Sequence, residues 1–323
     1  VASAVDMLWE AKRPVFISGR GARAAAKELL ALLERLDAVH LDTGESRGVV
    51  PDDHPSTVAS MRGAVMSSAD VIVTVGRRLD FQLAFGSPAI FKDARFLRIS
   101  DCALEIRDNR RGDVELFGTI SESLGALVRH AGDRKSSVDQ EWIGFIKSKH
   151  REKADAFVQR IASAPNGADG AIHPNRLLSE LQNHIDQRSI VAIDGGDFLS
   201  FARVAISASM VLDPGPFGCI GVGVPYGVAA SLARPDATVF VVTGDGSFGF
   251  NAIEVDTAVR HGAKVVIVVA NNSAWQIEVD DQRKTYGKIV GTKLQNVDYA
   301  AMARAFGMYA QRVSRVEELA ASF

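Results

Sequence analysis

Cysteine is almost missing from this chain. There are two, Cys102 and Cys219, far apart and in no metal-ligand spacing. That excludes a disulfide scaffold and a zinc ribbon, and it fits a reduced, cytoplasmic protein. An excess of either charge is missing too. Lys and Arg number 37 against 39 Asp and Glu, a net charge of -2, so no nucleic-acid partner is expected. The one basic pair, Arg110-Arg111, sits between Asp108 and Asp113 and reads as a solvated turn. Long apolar runs are lacking; the longest are of strand length, so no segment is expected to cross a membrane. The histidines, at 40, 54, 130, 150, 173, 184 and 261, form no His-x-x-His pair, which argues against zinc.

What is abundant is short apolar runs that end in glycine or asparagine. Ala237 to Thr243 (ATVFVVT) runs into Gly244-Asp245-Gly246, and Ala263 to Ala270 (AKVVIVVA) runs into Asn271-Asn272. Phe250 to His261, between them, has helical spacing through Ile253, Val255, Ala258 and Val259. The unit reads as one βαβ crossover, which carries both turns to the carboxyl edge of a parallel sheet, where open α/β folds bind ligands. There Asp245 and the Asn272 amide oxygen can converge on a hard cation such as Mg²⁺. Gly246 and Ser247 offer backbone N–H groups at a helix start, a position that suits a diphosphate. A tight turn and an unrelated asparagine pair is the plain alternative.

The organisation expected is two doubly wound α/β domains with parallel sheets. Residues 1–130 alternate strands (15–18, 38–41, 71–75, 96–99) with helices (4–11, 24–36). Gly19-Arg20-Gly21 after the first strand is either a simple turn or a phosphate-binding one. Residues 131–171 form a linker with one polar helix, Gln140 to Ala162. Residues 172–323 open with Pro174 at a helix start and continue with strands at 190–193, 237–243, 265–270 and 308–312, then a helix from Val316 to Ser322.

The Gly-Asp-Gly and Asn-Asn pair resembles the cofactor motif of the acetolactate synthase and pyruvate decarboxylase superfamily of thiamine-diphosphate enzymes. The resemblance extends through Gly48 to Pro55 and Val75 to Asp80 in the first domain, and through Ile172-His173-Pro174 in the second. It implies that Asp245, Asn272 and the Ala274 carbonyl hold Mg²⁺, and that Mg²⁺ holds the diphosphate beside Gly244, Gly246 and Ser247. In Gly218 to Pro225, Ile220 resembles the wedge under the bent cofactor. Gly196, Asp197 and Phe198 resemble the segment facing diphosphate and substrate, though Asp197 reads equally as a helix cap. Glu278 resembles the glutamate that exchanges a proton with the intermediate, and in an apolar setting its pKa would be raised. Trp275 and Gln276 would shape the substrate pocket. In some relatives the central domain holds FAD or ADP. The resemblance also implies a further domain before Val1 carrying an activating glutamate, a strand beyond Phe323, and a homodimer or homotetramer.

Within the superfamily, Leu212 to Gly218, Asp194-Gly195-Gly196, Arg203 and Glu254 to Thr257 look like oxalyl-CoA decarboxylases and 2-hydroxyacyl-CoA lyases. The neutral stretch Ser207 to Val211 departs from them, since those enzymes often carry basic residues there. The expectation is C–C bond cleavage or formation beside a carbonyl, on an acyl-CoA, aldehyde or 2-keto acid. Acetolactate synthase or benzaldehyde lyase chemistry is the rival, and a non-catalytic nucleotide-binding paralogue is a third reading.

Overall fold

The valine- and isoleucine-rich runs become strands; those at 14–18, 71–75, 190–193 and 239–243 are buried on both faces, which is why they lack the alternation of a half-exposed sheet, whereas Val265–Ala270 has no fully buried residue. A computed structural model describes residues 1–167 and 170–323. The chain divides into two units, Val1–Ala156 and Phe157–Phe323.

In the first unit, β1 (Pro14–Ser18), β2 (Val39–Leu41), β3 (Val71–Val75), β4 (Arg95–Ser100) and β5 (Val114–Phe117) form a parallel sheet in the order β2-β1-β3-β4-β5. The helices are α1 (Ala2–Glu10), α2 (Ala26–Leu36), α3 (Arg62–Ser68), α4 (Pro88–Phe91), α5 (Ala103–Ile106), α6 (Ile120–Ala131) and α7 (Gln140–Ala162). Successive strand residues point to opposite faces. Phe16, Val73 and Leu97 therefore pack with α1, α2 and α6, while Val15, Ile17, Ile72 and Phe96 pack with α3 and the start of α7. Trp142, Ile143 and Ile146 dock α7 in that second core, and the division between units falls inside the helix.

One open reading in this unit narrows, and one expectation changes. The amides of Gly19 and Gly21 donate to Val75 O (2.9 Å) and Gly76 O (3.2 Å). A Cβ on Gly19 would lie 2.3 Å from the Gly76 carbonyl oxygen. The glycines thus serve close backbone packing between two loops, and these two N–H groups are already taken by the carbonyls of Val75 and Gly76. Arg110 is no solvated residue: its guanidinium lies 4.0 Å over the Phe96 ring and donates to the carbonyls of Gly86 and Ala94. Arg98, 1% exposed, pairs with Asp108 at 2.6 Å and donates to the carbonyls of Glu105 and Ile106.

In the second unit, β6 (Ile190–Ile193), β7 (Met210–Leu212), β8 (Val239–Gly244) and β9 (Val265–Ala270) are parallel in the order β7-β6-β8-β9. The helices are α8 (Pro174–Gln182), α9 (Asp197–Ala205), α10 (Gly223–Ala233), α11 (Asp245–Asn251), α12 (Glu254–Arg260), α13 (Gln276–Tyr286) and α14 (Tyr299–Ala305). Val191, Ile193, Phe240 and Val242 meet α8 and α9; Ala192 and Val241 meet α10 and α12. From β6 the chain goes first to one side, for β7, and then to the other, for β8. The carboxyl ends of β6 and β8 are therefore a topological switch point, where the loops diverge and leave a crevice.

Three elements differ from expectation here. The expected helix over 250–261 is two helices, and the first begins at Asp245 itself, so the glycine turn is already helical. Met308–Arg312 is irregular; Met308 and Ala310 pack onto the core without joining the edge of β9. Val316 to Ser322 forms two 3₁₀ turns in place of a helix. Among the described residues no helix is long and apolar enough to cross a membrane.

Candidate cofactor and metal site

Gly244 pairs with Ala270 in the ladder, so the turns after β8 and β9 start side by side. Asp245 is 2% exposed, and its Oδ2 has no hydrogen-bond partner. Burial pushes its carboxyl above the usual range, partly countered by the amides of Gly246, Ser273 and Ala274. Two of those amides belong to the β9 turn, so the turns meet at this carboxylate.

The β9 turn is held from both ends. Asn271 accepts from Ser273 N (3.1 Å) and donates to Val297 O (3.1 Å). Leu294 N donates to Ser273 O (2.7 Å), and Trp275 N to Thr292 O (3.0 Å). Asn272 is exposed, and its Oδ1 accepts one hydrogen bond, from Ala274 N at 3.1 Å. An amide oxygen has two lone pairs, so one remains for a cation. Ser273 takes a left-handed φ of 55°, which a non-glycine residue adopts only under local constraint.

An open cavity of about 340 Å³ lies against Asp245 and Gly246, walled by Phe250, Trp275, Gln295 and Tyr299. A Cβ on Gly246 would sit 2.8 Å from the Trp275 ring, so backbone and indole touch there. Trp275 meets Phe250 edge to face at 5.7 Å. The Tyr299 hydroxyl donates to Asp245 O at 3.5 Å, and burial followed by the Asp245 charge raises its pKa.

The β6 loop joins the same edge. Gly195, with φ of 112°, approaches Ser247 and Gly244, and a Cβ on Gly196 would meet Ile277 at 3.0 Å. Asp197 opens α9 but makes no side-chain cap; its pKa is raised by burial and then by Asp280. Phe198 is buried in the core below. Ile220 is half-buried in the loop before α10. Gln276 donates to Asp280 (2.9 Å), and Glu278 is exposed in the first turn of α13. Asp194 entered the sequence reading only as part of the Asp194-Gly195-Gly196 resemblance, with no role of its own. It is 1% exposed and accepts amides from Gly195, Gly221 and Gly223. Its place one residue before Gly195-Gly196 was the available signal.

Among the described residues no three His, Cys, Asp or Glu side chains converge on a metal position. The donors at the Asp245 turn are one carboxylate, one amide and backbone carbonyls, all hard oxygens. That set suits Mg²⁺ sharing its shell with a phosphate, and the partnerless Asp245 Oδ2 fits such an ion.

Comparison with known proteins agrees. Residues 1–127 match the family model described as the thiamine pyrophosphate enzyme central domain. Residues 196–323 match the thiamine pyrophosphate enzyme C-terminal TPP binding domain. A probable acetolactate synthase of Mycobacterium bovis is 34% identical over 324 residues, 98% of this chain and 57% of that protein. The human 2-hydroxyacyl-CoA lyase 2 is 30% identical over 333 residues, 98% of this chain and 51% of its own length. The mouse 2-hydroxyacyl-CoA lyase 1 is 29% identical over 340 residues, 99% of this chain and 58% of its own length. The chain thus spans somewhat more than half the length of these relatives.

Proposed function

Because this chain belongs to the thiamine pyrophosphate enzymes, we propose that its second unit binds thiamine diphosphate through Mg²⁺ and makes or breaks a C–C bond next to a carbonyl. The observation that carries the Mg²⁺ assignment is the buried Asp245 Oδ2 without a partner. When bound, thiamine diphosphate supplies the nucleophilic carbon and the electron sink for that bond change. Asp245, the Asn272 amide oxygen and the Ala274 carbonyl hold the metal. The Gly244–Ser247 backbone receives the diphosphate at the start of α11. Ile220 would support the bound cofactor, and Gly196 and Asp197 would border diphosphate and substrate, with Phe198 packed in the core behind them. Glu278 takes up or gives a proton at its carboxyl oxygen, and Trp275 and Gln276 bound the substrate.

For substrate, the Leu212 to Gly218 sequence and the likeness to 2-hydroxyacyl-CoA lyases support a 2-hydroxyacyl-CoA. The 34% identical acetolactate synthase relative supports a second reading, joining of 2-keto acids. The assembly is a homodimer or homotetramer, which sedimentation of the full-length protein decides. Calorimetry of the full-length protein tests the cofactor assignment. Binding with Mg²⁺, lost on chelation and in Asp245→Ala, is expected; wild-type affinity in Asp245→Ala overturns it. Product analysis with a 2-hydroxyacyl-CoA and with pyruvate separates the two substrate readings.

A further inference from the structure

We infer that Asp194 and Asn251 are positioning residues that clasp the backbone of Gly221 on both sides and thereby fix where Ile220 stands. This rests on the reading of Ile220 as the cofactor's support.

Asp194 follows β6 directly, and its own N–H donates to Val242 O at 2.8 Å, so the sheet fixes its backbone. Its carboxylate lies in the interior. Oδ1 accepts from Gly195 N at 2.7 Å, and Oδ2 from Gly223 N at 2.8 Å. The Gly221 amide is shared between them, 2.9 Å from Oδ2 and 3.2 Å from Oδ1. The other face of the loop is held by Asn251, whose Nδ2 donates to Gly221 O at 2.7 Å. The two peptide groups that flank Gly221 are therefore both gripped, the Ile220–Gly221 group at its N–H by the residue after β6 and the Gly221–Val222 group at its C=O by α11. Gly221 has a φ of 95°, and a Cβ there would lie 2.6 Å from Phe250 Cβ. A Cβ on Gly223 would lie 2.9 Å from Asp194 Cβ. The loop is thus pressed against both of its anchors.

The grip joins two parts of the site. Asn251 is the last residue of α11, and Asp245 is the first. A single rigid helix therefore links the metal turn to the loop bearing Ile220. The carboxylate also stands where α10 begins and Val222 provides no side-chain cap, so Asp194 supplies the missing acceptor from a distant strand.

The test uses Asp194→Asn and Asn251→Ala in the full-length protein. Asp194→Asn keeps size but turns an N–H toward glycine amides. Hydrogen exchange of the 218–223 amides is measured without cofactor. Affinity for Mg²⁺–thiamine diphosphate and deuterium exchange at the thiazolium C2 are measured with it. Loop amides should exchange faster by about 10- to 100-fold, the worth of a hydrogen bond to a charged group. C2 exchange should slow while cofactor affinity holds. Unchanged loop exchange overturns the inference. So does a parallel fall of affinity, C2 exchange and melting temperature, which marks a purely structural role. Should Asp194→Asn fail to fold, Asn251→Ala decides alone. If the wild type takes up no thiamine diphosphate, the cofactor reading fails, and the loop-exchange arm still judges the clasp.

Discussion

Asp245→Asn should make the cofactor-free protein more stable and the loaded protein less so. In the structure Asp245 is 2% exposed and keeps a carboxylate oxygen without a partner. Burial raises its folded pKa above the unfolded one. A raised pKa contributes stability that is complete below the unfolded value and lost as pH rises through the folded one. At a pH above the folded value the metal-free protein therefore bears the penalty of a buried charge. Asparagine removes the charge and leaves the shape. An unsatisfied buried polar atom costs about 1–3 kcal/mol, somewhat more when charged. At roughly 2–4 °C per kcal/mol for a unit of this size, the gain is visible in a melting curve. Scanning calorimetry in chelator should show the second unit of the variant melting later than wild type. With thiamine diphosphate and Mg²⁺ at 100 times the dissociation constant, wild type should gain about 2.7 kcal/mol and the variant little of it. A variant that melts earlier in chelator, or that keeps the wild-type metal-dependent gain, refutes the reasoning.

His40 makes the first unit acid-sensitive. Burial above all, then the charges of His54 and Arg62, pushes its pKa down to about 3, so stability present above pH 6.5 is lost as pH falls toward that value. The slope is ~1.4 kcal/mol per pH unit, and His40→Gln should flatten it in denaturant titrations at pH 7 and 5. Arg98→Met should destabilise the first unit by about 3–5 kcal/mol, because Asp108 is left buried without its partner; urea unfolding checks this. Glu278→Gln in the full-length enzyme should cut turnover by roughly 10²–10⁴ while leaving thiamine diphosphate affinity alone, and wild-type turnover would remove Glu278 from the chemistry.

The turns after β8 and β9 were readable because two unbroken apolar runs deliver them to one sheet edge, and Gly244 does pair with Ala270. Two short strands at sheet edges were not. Val114–Phe117 is an edge strand with no fully buried residue, and Met210–Leu212 is three residues long, so neither carries a period. The helical course of α11 was less legible, although Gly246 and Ser247 were read as a helix start, because Gly246 and Gly249 lower helix propensity; at Gly246 the Trp275 ring leaves no room for a side chain. Met308–Arg312 misled in the other direction: alternate residues bury themselves on the core without any ladder. Asp194 shows the general limit. Its partners, Gly221 and Gly223, are near it only through the sheet order, which no local pattern encodes.

The contact between Trp275 and Gly246 has a spectroscopic consequence. The chain has three tryptophans, and Trp9 and Trp142 both lie in the first unit. Trp275 is therefore the single indole emitter of the second unit, and it forms one wall of the cavity beside Asp245. With Trp9 and Trp142 replaced by phenylalanine, fluorescence of the chain reports on that cavity alone. Polarity and quenching at the Asp245 turn then become visible without a label, and the emission maximum becomes a titration signal for metal and diphosphate added separately.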